Sequence, residues 1–352
     1  MKIGIIGGGQ LGMMMADEAI KLGHSIISLD PNPNCSLARF SEKHIEADYD
    51  DYDSIKELYQ LCDVITYEFE NVNYNLVREF EDKIPQKHKA LFITQNRLRE
   101  KEFVKNLTIP TPSFFAFSDN EYPGFPVIVK TCTGGYDGKG QQKAYNKFEF
   151  DQLITDKTLE YIIEEKIDFD YEISVILTRD CFGHIYAQPI TKNDHKNGIL
   201  FTSKTHCNHD EEITQKAVQY ATQIIKELDY IGTLAVEFFV KSKNVIFNEY
   251  APRPHNSGHF SIEGVDYSQY KNHILAITGS KIYQPSLIKH CTMINILGQD
   301  MAYIDVAKQF DECHIHIYFK KDAKLNRKMG HITICSENIS KLSEIEEAFL
   351  KE

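Results

Sequence analysis

At residues 125–140 the chain reads Phe125-Pro126-Val127-Ile128-Val129-Lys130-Thr131-Cys132-Thr133-Gly134-Gly135-Tyr136-Asp137-Gly138-Lys139-Gly140. The first part is an apolar strand that ends at a lysine, and the second part is a glycine-rich loop. Glycines let backbone N–H groups approach phosphate oxygens, and a nearby lysine supplies a point charge. The loop lacks the residue order of a P-loop, and Gly-Gly and Asp-Gly pairs also form ordinary hairpin turns. The stretch therefore predicts a hairpin-type flap over phosphates, with a plain turn as the alternative.

The residues around this flap predict a small, strand-rich lid subdomain. Arg97–Asn106 has the pattern of a charged helix, and the two prolines that follow cannot continue it, because proline lacks the backbone N–H. Two further apolar runs, Leu159–Glu164 and Glu172–Leu177, are typical of strands. We therefore expect the lid over about 113–175.

The first 95 residues alternate strand and helix patterns. Strands that alternate with helices indicate a parallel sheet with right-handed crossovers, so this part predicts a Rossmann-like α/β domain. The predicted elements are strands at Lys2–Gly7, Ser25–Asp30 and Asp63–Tyr67 and a helix at Leu11–Leu22.

The turn after the first strand matches the dinucleotide fingerprint, with glycines at Gly7, Gly9 and Gly12. Asp30 ends the next strand at about the distance expected for a ribose contact. A nicotinamide-dependent oxidoreductase is therefore the main alternative function. The turn also fits any other polar or phosphorylated ligand at a helix N-terminus, or glycines that only pack a helix on a strand.

Downstream of the lid, apolar residues at helical spacing predict a helix at Glu211–Leu228, with Asp210 as its N-cap. Two apolar runs follow, each interrupted by one glutamate. In an antiparallel hairpin centred on Lys243, Glu237 and Glu249 face each other on one side of the sheet, because side chains alternate faces.

Two opposed carboxylates among apolar neighbours repel each other, and burying them unpaired is costly. A divalent cation removes the conflict, since Mg²⁺ binds one or two carboxylates and fills its shell with waters and substrate phosphates. The alternative is a solvated sheet face on which both glutamates reach water. The prediction depends on the hairpin register, because a turn centred half a residue away moves one glutamate off that face.

Composition excludes some classes of protein. The 352 residues include 39 basic and 51 acidic side chains, a net charge of -12, which lacks the basic footprint of a nucleic-acid binder. The 8 cysteines form no C-x-x-C pair, which favours a reducing cytoplasm over zinc or disulfide chemistry. No apolar run suits a signal peptide or a membrane span, so we expect a soluble, cytoplasmic protein of two or three domains.

Taken in order, these motifs resemble the ATP-grasp superfamily. Three segments resemble in particular the N5-carboxyaminoimidazole ribonucleotide synthetase family: Gly8-Gly9-Gln10-Leu11-Gly12, Thr133–Gln141 and Asn248-Glu249-Tyr250-Ala251-Pro252-Arg253-Pro254-His255-Asn256-Ser257-Gly258-His259. The resemblance covers nearly the whole chain. It implies a pre-ATP-grasp domain at 1–95, an ATP-grasp domain at 96–285 that contains the lid, and a small C-terminal domain with a sheet at 286–352.

In that family, ATP and bicarbonate form carboxyphosphate, and the 5-amino group of aminoimidazole ribonucleotide is then carboxylated, a step of purine (IMP) biosynthesis. The resemblance implies Mg²⁺, for which Mn²⁺ can substitute, and a homodimer. Glu237 and Glu249 would hold the metal, and Arg253, Lys130 and Asn256 would be the catalytic residues. The same resemblance places ATP on Arg97, Lys130, Gly135, Tyr136, Asp137, Gly138, Lys139, Gly140, Gln141, Glu164, Glu165, Lys166, Ile167, Glu172, His195, Asn248 and Glu249.

The ribonucleotide would occupy the amino-terminal glycine turn, which reassigns that turn from a dinucleotide. Its contacts would be Gln10, Leu11, Glu68, Tyr136, Asp137, His255, Lys320, Arg327 and Lys328. Alternatives within the superfamily are a formate-dependent glycinamide ribonucleotide transformylase and a biotin carboxylase. A module that binds ATP without turnover is a further alternative, and the presence of both glutamates and Lys130 argues against it.

Overall fold

The computed structural model of the chain describes residues 1–117, 124–134, 140–154, 156, 158–206 and 210–350. Within these residues the strands assemble into three sheets, and helices cover their faces. This mixed α/β architecture confirms the predicted fold class. The predicted loop residues 135–139 lie outside the described residues.

The amino-terminal part is a parallel sheet in the order β3-β2-β1-β4. The predicted strands and the first helix are confirmed to within a residue or two, whereas β3 was not predicted because three residues show no periodicity. The elements are β1 (Lys2–Ile6), α1 (Gln10–Lys21), β2 (Ser25–Leu29), β3 (Lys43–Ile45), α2 (Tyr52–Leu61), β4 (Val64–Tyr67), α3 (Tyr74–Glu79) and α4 (Lys89–Thr94).

The next part begins with the predicted helix, whose N-cap Asn96 accepts a hydrogen bond from the backbone N–H of Arg99. A four-stranded antiparallel lid sheet follows in the order β5-β8-β6-β7. Its elements are α5 (Arg97–Asn106), β5 (Phe114–Ala116), β6 (Val127–Thr131), β7 (Gln141–Ala144), α6 (Lys147–Leu153) and β8 (Tyr161–Glu165). The described flanks of the flap form the expected hairpin, because Lys130 pairs with Gln141.

The third sheet has nine strands in the order β14-β13-β9-β11-β12-β15-β17-β16, with β10 beside β9. Its first strands and helix are β9 (Tyr171–Arg179), β10 (Ile185–Ala187), β11 (Thr191–Lys196), β12 (Ile199–Lys204), α7 (Glu211–Glu227), β13 (Gly232–Lys241) and β14 (Asn244–Ala251). Because β9 belongs to this sheet, the proposed lid boundary near 175 falls inside a strand, and the topology favours an end at 166–170.

The carboxyl-terminal strands extend the same sheet, because β15 pairs with β12. The remaining elements are α8 (Ser261–Gly264), α9 (Gln269–Ile277), β15 (His290–Leu297), α10 (Tyr303–Ala307), β16 (Cys313–Ile317), β17 (Lys328–Ser336) and α11 (Ile339–Leu350). No helix in the described part of the chain combines the length and the apolar character needed to cross a membrane.

Helix α7 anchors the large core. The predicted N-cap is confirmed, since the Asp210 carboxylate accepts from the N–H of Glu212. The apolar stripe of the helix, which includes Ala217, Ala221 and Ile224, is buried against β9, β13 and β14. This packing fixes the β13–β14 hairpin that carries the two glutamates.

Candidate active site

The two glutamates of the hairpin lie opposite each other as predicted, but the turn and the register that bring them together differ from the prediction. The turn is the two-residue pair Ser242 and Lys243, both with positive φ (47° and 70°), as in a type I′ turn. Lys241 therefore pairs with Asn244, and the predicted turn centre is wrong by half a residue.

A β-bulge between Glu237 and Phe238 corrects the register, so that Phe238 pairs with Phe247 and Glu237 with Glu249. Without this bulge Glu237 would pair with Asn248. In a bulge two residues of one strand oppose one residue of the other, so Asn248 and Glu249 together oppose Glu237.

The surroundings of Glu237 disfavour its charge. Burial and the neighbouring charge of Glu249 raise the pKa of Glu237 to about 7. Ser174 Oγ donates to its carboxylate at 3.2 Å, and Arg97 Nη1 lies 3.4 Å from Glu249 Oε2. The pair thus resembles a cation site more than a solvated sheet face.

Lys130 lies on the lid strand β6, and Arg97, which contacts Glu249, also lies near the Glu164 partner of this lysine. Its ammonium donates to Glu164 Oε2 at 2.9 Å, and Lys101 Nζ lies 3.7 Å from the same oxygen. Burial would raise the pKa of Glu164, but these two lysines lower it to about 2. Lys130 is therefore held in place by a charged carboxylate, and its contact with a phosphate stays a prediction.

Two further predicted residues meet at the strands β9 and β11. His195 Nδ1 lies 2.6 Å from Glu172 Oε2. Burial opposes protonation of the imidazole, but Glu172 and the more distant Glu237 and Glu249 raise the pKa of His195. This cluster joins the predicted ribose contact to the carboxylate pair.

The remaining predicted ATP contacts frame the same region. Gly134 and Gly140 flank the loop with positive φ, and Thr131 N donates to Gly140 O. The segment Glu164–Ile167 connects the lid sheet to the large sheet, with Glu165 exposed and Lys166 and Ile167 half-buried. The other predicted loop residues lie outside the described residues: Gly135, Tyr136, Asp137, Gly138 and Lys139.

Arg253 follows β14 and is engaged in a bidentate ion pair. Its Nε and Nη2 donate to the two carboxylate oxygens of Glu70, at 2.5 and 3.1 Å. Its Nη1 donates to Pro254 O at 3.2 Å. Glu70 belongs to the loop after β4, so this pair joins the amino-terminal domain to the carboxylate hairpin.

The two residues after Pro254 are more deeply placed. His255 Nδ1 lies 2.8 Å from Ser257 Oγ and 3.9 Å from Glu237 Oε1. Burial, followed by the charges of Arg253 and Lys328, holds the pKa of His255 well below its usual range. The buried amide of Asn256 exchanges two hydrogen bonds of 3.0 Å with the amide of Asn295.

The amino-terminal glycine turn is filled by side chains of this chain. The carboxylate of Glu68 accepts from the N–H groups of Gly9 and Gly12, the latter at 2.7 Å. The Asp30 carboxylate accepts from Gly8 N at 2.7 Å and from Tyr49 Oη at 2.6 Å. Both groups that a dinucleotide would use are therefore engaged, which weighs against the oxidoreductase alternative.

Some of the predicted ribonucleotide contacts lie at or near this turn, namely Gln10, Leu11, Glu68 and Lys320. Burial raises the pKa of Glu68, and the hydrogen bonds from the turn and the nearby charge of Lys320 oppose that rise. Lys320 Nζ donates to Lys328 O at 2.9 Å, which brings two of the three predicted cations together. Arg327 instead donates to Asp322 O in its own loop. Gln10 begins α1 and is half-buried, whereas the side chain of Leu11 lies in the domain core, so any contact with a ligand falls to its backbone.

Sequence reasoning missed several residues that hold the site together. Glu70 follows Glu68 by two residues, but no spacing linked it to Arg253. Glu100 and Lys101 lie on the predicted charged helix and were given no role, although both are buried, at 3% and 2% exposure. Asn295 lies within a buried strand. In the sequence, such residues are marked only by a lone amide or charged side chain within an apolar or helical run, and this does not identify their partners.

The donor set fits Mg²⁺. Among the described residues no group of three or more His, Cys, Asp or Glu side chains could hold a metal by itself. Two opposed carboxylates, one with a raised pKa, are the protein contribution expected for a magnesium ion that also takes waters and substrate phosphates.

Comparisons with known proteins agree with this geometry. Residues 1–95 match the ribonucleotide synthetase preATP-grasp domain, residues 102–270 the ATP-grasp domain, and residues 291–345 the phosphoribosylaminoimidazole carboxylase C-terminal domain. The chain is 40% identical over 357 residues to the N5-carboxyaminoimidazole ribonucleotide synthase of Staphylococcus aureus (strain COL), covering 97% of this chain and 94% of that relative.

Solved structures are similar over the same length. The Staphylococcus aureus N5-carboxyaminoimidazole synthetase complexed with ADP has a TM-score of 0.93 and 38% identity, covering 99% of this chain and 96% of that one. The Aspergillus clavatus N5-carboxyaminoimidazole synthase in complex with ADP and 5-aminoimidazole ribonucleotide has a TM-score of 0.92 and 25% identity, covering 99% and 98%. The chain belongs to the N5-carboxyaminoimidazole ribonucleotide synthase family.

Proposed function

We propose that the chain catalyses the ATP-dependent carboxylation of 5-aminoimidazole ribonucleotide with bicarbonate, giving N5-carboxyaminoimidazole ribonucleotide, ADP and phosphate in purine biosynthesis. One observation carries the proposal: the opposed pair Glu237 and Glu249 lies close to Arg97 and to the Glu172–His195 pair. That set suits a metal–polyphosphate ligand, and related proteins are described as bound to ADP and to the ribonucleotide.

In the first step a bicarbonate oxygen bonds to the γ-phosphorus while the bond to the β–γ bridging oxygen breaks, and ADP leaves. Phosphoryl transfer of this kind depends mainly on positioning and charge neutralisation. Lys130, fixed by Glu164, and Arg97 would supply positive charge at the phosphates. Glu237 and Glu249 would hold Mg²⁺, or Mn²⁺ in its place, which when bound neutralises negative charge on the transferred group.

In the second step the 5-amino nitrogen bonds to the carboxyl carbon of carboxyphosphate, the C–O bond to phosphate breaks, and the amine loses a proton. Arg253 suits the oxyanions because a planar guanidinium matches two oxygens. The carboxylate of Glu70 accepts hydrogen bonds from Nε and Nη2 of Arg253 and so fixes the plane of the guanidinium group. Asn256, held by Asn295, would orient the adjoining loop.

The ribonucleotide would lie between the amino-terminal turn and the carboxyl-terminal strands. Lys320, Arg327 and Lys328 would bind its phosphate, and Gln10, the Leu11 backbone and Glu68 its imidazole end, near His255. The proximity of Lys320 to Glu68 supports this placement. The loop Gly135–Gln141, with Tyr136 and Asp137, would close over both substrates and exclude water, which protects carboxyphosphate from hydrolysis. We propose a cytoplasmic homodimer.

A coupled assay of ADP release tests this function. We expect turnover to require bicarbonate together with 5-aminoimidazole ribonucleotide. Stimulation by formate with glycinamide ribonucleotide instead would favour the transformylase alternative and overturn the proposal. Turnover with neither ribonucleotide would favour a carboxylase that acts on another acceptor.

A further inference from the structure

We infer that Glu100 and Lys101 are positioning residues, which place Glu249 by holding the bulge of β14 from outside the sheet. The inference rests on the proposed role of Glu249 as a metal ligand. Strand β14 is the edge of the nine-stranded sheet, so its outer backbone groups have no neighbouring strand. Helix α5 lies along this edge, and two consecutive residues of the helix contact it.

The contacts fall on both sides of Glu249. Lys101 Nζ donates to Asn248 O at 2.6 Å. Glu100 Oε1 accepts from Tyr250 N at 3.0 Å, and Thr94 Oγ1 donates to Tyr250 O at 3.2 Å. The peptide groups before and after the predicted ligand are therefore both fixed by α5 or the residues just before it.

These contacts matter because the bulge sets which side chain faces Glu237. The hairpin turn alone would pair Glu237 with Asn248, and the extra residue at the bulge brings Glu249 into that place. A bulge leaves backbone groups without regular ladder partners, and on an edge strand no neighbouring strand replaces them. The Asn248 carbonyl and the Tyr250 N–H find their partners in Lys101 and Glu100 instead.

The burial of the two charges agrees with a specific role. Lys101 and Glu100 are only 2% and 3% exposed. Charged side chains are rarely buried so completely unless they are paired, because removing them from water is costly. Lys101 is compensated by Glu164, 3.7 Å away, and packs near the Phe247 ring. Since Glu164 also holds Lys130, one helix links the predicted metal carboxylate to the predicted phosphate lysine.

The test compares Lys101→Met and Glu100→Met with Lys105→Met, an exposed lysine on the same helix. We expect the first two to raise the Mg²⁺ concentration for half-maximal turnover at least tenfold and to leave the KM for the ribonucleotide within twofold. Glu100→Gln, which keeps an oxygen for the Tyr250 N–H, should restore the wild-type Mg²⁺ dependence. A purely structural role would lower the active fraction, and so kcat, without moving the Mg²⁺ dependence, and that result overturns the inference.

Hydrogen exchange of the wild-type protein gives a second test that needs no variant. We expect the Tyr250 amide to be strongly protected although it lies on an edge strand. Rapid exchange there would contradict the positioning role of Glu100 and Lys101. Glu249→Gln separates this inference from the proposed function. If that variant turns over normally, the metal role of Glu249 is wrong. If it is inactive while Lys101→Met keeps the wild-type Mg²⁺ dependence, only the positioning role of Glu100 and Lys101 is wrong.

Discussion

The pKa of Glu237 depends strongly on Glu249, the residue opposite it in the hairpin. Glu237 is half-buried opposite a second carboxylate, and burial together with the charge of Glu249 raises its pKa to about 7. Ser174 Oγ donates a hydrogen bond to its carboxylate, and the imidazoles of His195 and His255 lie nearby. Two carboxylates in this setting weaken the fold while they prepare a cation site.

Replacing Glu249 by Gln should therefore separate activity from stability. We expect turnover to be lost, because a metal ligand is removed, while the thermal unfolding midpoint stays equal or rises, because the repulsion of Glu237 is removed. Scanning calorimetry without Mg²⁺ and the coupled ADP assay measure the two effects. Glu102→Gln, on an exposed glutamate of α5, is the matched control and should change neither. Normal turnover in the Glu249→Gln variant would refute the carboxylate-pair site.

At the scale of elements, the glycine turn between β1 and α1 matches a dinucleotide-binding fingerprint but binds a side chain of its own chain. The glycine turn would suit a phosphate at the α1 N-terminus, but the carboxylate of Glu68 accepts the N–H groups of Gly9 and Gly12 there. A helix N-terminus favours any negative group, including a carboxylate of its own chain. The turn therefore holds Glu68 in a fixed orientation, and Lys320 is near enough to oppose the rise of its pKa.

A methyl group at Gly9 should disturb this orientation. A Cβ there would lie 2.5 Å from Glu68 Oε1, while the backbone φ of -81° is one that alanine adopts without strain. We expect Gly9→Ala to raise the KM for the ribonucleotide several-fold or more and to leave the KM for ATP unchanged. Asp17→Ala, on the exposed face of the same helix, is the control. Equal changes in both KM values would show that the helix is displaced as a whole.

Elements were predictable where a local signal sets them. The N-caps Asp210 and Asn96 mark helix starts that depend on a few adjacent residues. The hairpin of Glu237 and Glu249 was predictable only in part, because the bulge depends on contacts with α5 from far along the chain. The sequence pattern of β9 also did not predict which sheet the strand joins, since a strand pattern carries no information about its partner strands.

At the scale of the whole molecule, the candidate site collects residues from all three regions of the chain. Glu68 and Glu70 come from the amino-terminal domain, Lys130 from the lid, and Lys320 from the loop between the carboxyl-terminal strands β16 and β17. Motifs predicted the individual residues, but tertiary pairs such as Arg253 with Glu70 could not be predicted, because their separation of 183 residues leaves no periodic trace. The net charge of -12 likewise does not reveal a local group of cations.

His273 joins two of these regions and gives the chain a pH-dependent stability. Its Nδ1 accepts from Thr233 N at 3.0 Å, so the proton resides on Nε2, which lies 3.0 Å from Thr66 Oγ1. The residue thus bridges the amino-terminal sheet and the large sheet. Protonating Nδ1 would remove the bond to Thr233, and burial lowers the pKa of His273 to about 3.

The direction of the pH effect follows from the two states. Unfolded histidine takes up a proton near pH ~6.5, while the folded His273 does not until far lower pH. Its stabilising contribution is therefore complete above pH ~6.5 and decreases as the pH falls from there toward 3, by up to about 1.4 kcal/mol per pH unit. We expect His273→Gln, whose amide can make both hydrogen bonds without titrating, to lose less stability between pH ~6.5 and ~5 than the wild type. Urea unfolding at several pH values measures the slope, and His314→Gln, at an exposed histidine, is the control. Parallel slopes for the wild type and His273→Gln would show that other groups govern the acid sensitivity of the fold.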